Sequence, residues 1–94
     1  MSWKSETLKA YEARVVADAL ARLAKQVDLK ALPFSDDELR TLAKRAREFF
    51  TSENKRGRFD RFKAHLSARH GEEPVAAVAA ALVVINNAIG YEEK

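Results

Sequence analysis

The sequence holds no cysteine. That absence removes disulfides, thiolate nucleophiles and cysteine-ligated zinc together. Two histidines, His65 and His70, are too few for a three-histidine metal site. Glycine and proline are scarce, at three and two of 94 residues, and fall only at punctuation points. No stretch alternates apolar and polar residues long enough to read as a strand. The longest uninterrupted apolar run, Val75 to Ile85, is 11 residues. That is short of the ~20 needed to cross a bilayer, so no membrane role is expected. The first residues show no apolar signal-peptide core, and the expected location is cytoplasmic.

What remains is rich in alanine (17 residues) and patterned for helix. The expected fold is all-α: one domain over residues 1–94, a four-helix bundle-like unit. Helices are expected near 5–27, 36–51, 58–70 and 74–89. In the first, Leu8, Tyr11, Val15, Val16, Ala19, Leu23 and Val27 share one face at helical spacing. Glu12 falls inside that stripe, so it needs a cationic partner from helix two or three, a place at the wet edge, or a contact with another protein. The second helix opens on Ser35-Asp36-Asp37-Glu38, a capping box flanked by Phe34 and Leu39 as a hydrophobic staple. A polar break, Thr51 to Gly57, precedes the third, and Gly71 is expected to stop it. Pro74 suits the first turn of the fourth. That helix is apolar nearly all round, which predicts a central position with three amphipathic helices about it, and Gly90 is expected to end it.

Charge is segregated. Residues 1–39 net −1, residues 40–70 net +7 and residues 71–94 net −3. Seven of the ten cations in the middle stretch are arginine, whose planar fork suits phosphate and carboxylate. They form two rows at helical spacing: Arg40, Lys44 and Arg47 in the second helix, and Arg58, Arg61, His65 and Arg69 in the third. Lys55 and Arg56 lie in the break. Such rows can follow a phosphate backbone, where each neutralised phosphate releases counterion.

The helix–break–helix order fits a helix-turn-helix poorly, because a break of about seven residues exceeds the 3–4 of that motif. The outward residues Asp60, Ala64, Ser67 and Ala68 also lack the side chains that read base edges. The expected function is therefore a non-catalytic subunit or accessory protein. It would hold nucleic-acid backbone without sequence preference, through the nine positions Arg40, Lys44, Arg47, Lys55, Arg56, Arg58, Arg61, His65 and Arg69. The alternative is a protein–protein adaptor or inhibitor, of the kind phages or mobile elements encode, docking this face on an acidic protein surface. No catalytic group, cofactor or metal is expected. The apolar fourth helix further predicts a homo-oligomer, or membership of a larger complex, through Val75, Val78, Ala80, Val83 and Val84.

Overall fold

The computed structural model describes residues 8–92. Among them are four helices and no strand: α1 (Leu8–Ala24), α2 (Asp36–Thr51), α3 (Arg56–His70) and α4 (Glu72–Glu92). Short 3₁₀ turns at Leu29–Ala31 and Glu53–Lys55 lie in the connections before α2 and α3. α4 packs against α1, α2 and α3, and α2 also touches all three of its neighbours. Each helix sends one leucine to complete burial: Leu23, Leu42, Leu66 and Leu82 are all 0% exposed. Burying a side chain of that size contributes roughly 1.5–3 kcal/mol.

Local chemistry sets the start of α2. The Glu38 amide donates to Ser35 Oγ at 3.1 Å, and the Ser35 amide donates to Glu38 Oε1 at 2.9 Å. Phe34 and Leu39, the staple pair, are both buried in the core. Ser35→Ala is expected to cost about 1 kcal/mol through the lost cap. A chemical-denaturation midpoint unchanged by that substitution would refute the cap's contribution.

Four boundaries differ from the sequence reading. α1 stops at Ala24, not near Val27, because the chain turns there into the 3₁₀ segment, whose Lys30 amide is capped by Asp28 at 3.0 Å. The expected start of α1 near Ser5 lies outside the described residues. α3 begins at Arg56, so Gly57 sits in its first turn and the break shrinks to four residues, 52–55. α4 begins at Glu72, where Glu72 and Glu73 oppose the helix dipole favourably. It also continues through Gly90 to Glu92. Glycine inside a helix costs only about 1 kcal/mol, which packing readily offsets.

That longer α4 corrects the membrane argument. At 21 residues it is about 31 Å long, enough by length and composition to cross a hydrocarbon core. An 11-residue run of purely apolar side chains understated it, since Asn86, Asn87 and Gly90 do not interrupt the helix. In this fold 39% of its most apolar window is buried inside the domain.

Asn86 and Asn87 both lie within α4. Asn86 is 1% exposed and donates from Nδ2 to the Leu82 carbonyl at 2.8 Å. Its Oδ1 meets no protein donor.

Candidate anion-binding face

α2 and α3 run antiparallel: Glu38 near the start of α2 meets His70 at the end of α3, and Glu48 near the end of α2 meets Arg58 near the start of α3. A helix advances about 100° per residue, so Glu38, Arg45 and Glu48 fall on the α3 side of α2. Arg40, Lys44 and Arg47 fall on the other side. Arg40 and Lys44 border a groove shared with α1, and Arg47 donates to the Tyr11 hydroxyl at 2.8 Å. The nine sequence candidates are therefore not brought together. The α3 row faces the α2–α3 junction, whereas the α2 row faces α1.

At the junction two carboxylates organise the cations. Glu48 is only 7% exposed. Arg45 donates to it at 2.8 Å, and Lys55 and Arg58 approach its other oxygen at 3.8 and 3.9 Å. A carboxylate this buried must be compensated by charge, and three cations from α2, the connection and α3 do so. Arg56 adds its guanidinium over the Phe49 ring, 5.4 Å from the centroid, and donates to the Phe49 carbonyl at 3.2 Å. Ten residues away the second carboxylate, Glu38, lies 3.0 and 3.2 Å from His70 Nε2 by its two oxygens and 3.5 Å from Arg69 Nε. His70 also meets Phe34 edge to face at 5.1 Å. His70, in the last turn of α3, thus links that helix end directly to the α2 cap.

The amide of Ser35 holds the Glu38 carboxyl below its ordinary value of 4.5; burial works against this, and His70 and Arg69 reinforce it. A depressed carboxylate pKa adds stability above the ordinary value and loses it as pH falls through the folded value. The domain is therefore expected to weaken on acidification below about pH 5. Glu38→Gln is expected to flatten that decline in part, with Glu92, lowered by Arg22, supplying some of what remains. Urea midpoints across the acid range check this; wild-type and variant curves that stay parallel would contradict it.

Between the two carboxylates, Arg61 and His65 stand exposed on α3, and among the described residues Arg61 makes no ion pair. The junction thus carries Arg45, Lys55, Arg56, Arg58, Arg61 and Arg69, six cations, against Glu38, Glu48 and Glu53. Sequence reading missed Arg45 and the two organising acids. The Arg45–Glu48 spacing of three was the available signal.

The structure decides between the alternatives for Glu12 and revises the α4 interface. Glu12 has no ion pair among the described residues and lies half-buried at the rim of the α1–α2 groove, so the wet-edge alternative applies. On α4, Val75 and Val78 are buried inside the domain and cannot serve as interface, because they point with Leu82 and Ile85 into the core. Ala80 is exposed, Val83 half-exposed and Val84 68% exposed. The shortened break removes the length argument against a helix-turn-helix. The argument from the outward face stands, since Asp60, Ala64 and Ala68 are the exposed residues there. Among the described residues no three His, Asp or Glu side chains are placed to hold a metal ion. In comparisons with known proteins, no family model, no curated protein and no solved structure matches this chain.

Proposed function

We propose that this protein is a non-catalytic binding module whose α2–α3 face holds a nucleic-acid backbone without reading sequence. One observation carries the reading: six cations line an antiparallel helix pair, and four of them, Arg45, Lys55, Arg58 and Arg69, are set against two carboxylates, Glu38 and Glu48. Arranging cations costs side-chain entropy, and a frame that fixes them in advance lowers that cost on binding. Arg61 and His65, exposed between the fixed groups, are free to meet phosphate, while Ala64 and Ala68 offer bases no donors or acceptors. The α2 row of Arg40, Lys44 and Arg47 is a lateral extension of this face at most.

Fluorescence anisotropy with labelled duplex and single-stranded oligonucleotides over a salt series tests the proposal. Affinity is expected to fall steeply as salt rises and to change little between sequences. Affinity indifferent to salt, or no binding at low salt, would overturn it. A second reading, docking on an acidic protein surface, is favoured by Phe50, 40% exposed at the end of α2. Aromatic residues beside arginine are typical of protein interfaces. Low-salt binding confined to acidic proteins would select that reading.

A further inference from the structure

A second feature lies apart from the α2–α3 face: an open groove of about 720 Å³ between α1 and α2. Its floor is apolar, formed by Val16, Leu20, Leu29 and Leu39, with Ala13 and Ala17 along the α1 wall. Val16 and Leu39 are buried, but Leu20 and Leu29 are half-exposed and the two alanines are exposed. Apolar surface of this kind, rimmed by charge, is what an amphipathic helix covers when it docks in a groove.

The rim is charged differently at its two ends. α1 and α2 are antiparallel, with Tyr11 near the start of α1 bonded to Arg47 near the end of α2. Lys9 and Lys44 flank that end, with Glu12 between them. None of these three makes an ion pair among the described residues. At the opposite end stand Asp36 and Asp37, with Arg40 held by Asp37 at 3.1 Å. One end is thus net positive by one and the other net negative by one. From Lys9 to Leu20 the α1 wall is about 16 Å long, three turns of a docked helix.

We propose that this groove receives an amphipathic helix from another protein, its acidic first turn over Lys9 and Lys44 and its basic last turn over Asp36 and Asp37. That polarity complements the dipole of the incoming helix itself, and it lays the helix antiparallel to α2. Apolar anchors at i, i+4 and i+7 enter between Val16, Leu20 and Leu29, and the small Ala13 and Ala17 let the backbones come close. Glu12, a charge within an apolar stripe, then faces the free amides of the incoming first turn. A second copy of the chain does not supply this occupant. α2 and α4 carry acids in the first turn but no base in the last, while α1 and α3 have the reverse.

The test uses the full chain and two labelled 14-residue helical peptides with leucine at i, i+4, i+7 and i+11. One has glutamates first and lysines last; its twin has them exchanged. Anisotropy is expected to show the glutamate-first peptide binding about fivefold more tightly, a gap that narrows with salt. Lys44→Glu with Asp36→Lys is expected to reverse the preference. Ala17→Arg, at an exposed position, is expected to abolish both while leaving the thermal melt unchanged. Equal affinities, or no binding of either peptide, would overturn the proposal. So would self-association of the wild-type chain lost in Ala17→Arg, which would make a second copy the occupant. Binding seen only after removal of residues 1–7 would also overturn it, by making the chain's own start the occupant. Nucleic-acid affinity measured in parallel on Ala17→Arg is expected to be unchanged, so the two proposals fail separately.

Discussion

Replacing Gly71 with alanine is expected to lower the melting temperature by roughly 10 °C, a loss of about 2 kcal/mol. Gly71 is the single residue between α3 and α4, at φ 98° and ψ 154°. A side chain strongly disfavours that region, which is nearly confined to glycine. The penalty is torsional, not steric: a Cβ there would meet Pro74 Cδ at 3.9 Å, an ordinary contact. The residue cannot relax easily, because its amide donates to the Ser67 carbonyl at 2.9 Å and α4 begins at the next position. Gly57 is the control. A Cβ there meets nothing within 4 Å, and the position is helical, so Gly57→Ala is expected to raise stability by about 0.5–1 kcal/mol. Thermal melts of the two variants with opposite signs would establish the difference. A Gly71→Ala melt matching wild type would show that the interhelix turn has other conformations open to it.

Neutralising Arg58 and Arg61 together is expected to weaken oligonucleotide binding by roughly thirty- to a hundredfold near 0.1 M salt. The slope of log affinity against log salt is expected to fall by about two, one for each lost phosphate contact. Alanine is the appropriate replacement. Reversing Arg58 would set a new carboxylate against Glu48, whose other partners Arg45 and Lys55 would then carry two acids. With Arg58→Ala the buried carboxylate keeps the 2.8 Å bond from Arg45, so the fold is expected to persist. A circular dichroism melt within a few degrees of wild type checks that condition. Affinity and salt slope that both stay at wild-type values would refute the proposed face. A lower affinity with an unchanged slope would place the two arginines outside the phosphate contacts.

The four helices were legible in the sequence because their signals are local. The Ser35–Glu38 capping box and the 3–4 spacing of Leu39, Leu42, Ala43 and Ala46 need no knowledge of the rest of the chain. Boundaries were less legible. Gly57 and Gly90 read as punctuation, yet both lie inside helices, because the modest cost of an internal glycine is decided by tertiary packing. The cation rows were legible as rows, since each is a property of one helix. Which rows share a face was not, because that depends on how α2 is rotated between α1 and α3. Glu48 shows the difficulty most clearly. In sequence it is one acid among many bases; in the fold it is the buried group on which Arg45, Lys55 and Arg58 converge. Arg40 and Lys44 show the converse, with spacing that suited the basic face and a rotation that assigns them to a groove.

The central placement of α4 has a consequence for how the chain is made. α4 follows the other three helices in order of synthesis, and at 5–20 residues per second its 21 residues take roughly one to four seconds to appear. Until α4 has left the exit tunnel, Leu23, Leu42 and Leu66 lack the helix that helps cover them, and the emerged helices present an apolar cleft to their surroundings. Ribosome-bound chains tethered so that Gly71 has left the exit tunnel but α4 has not are therefore expected to be cut readily by protease, and chains on a longer tether that also frees α4 to resist it. Early resistance would mean that α1, α2 and α3 close on themselves before α4 arrives.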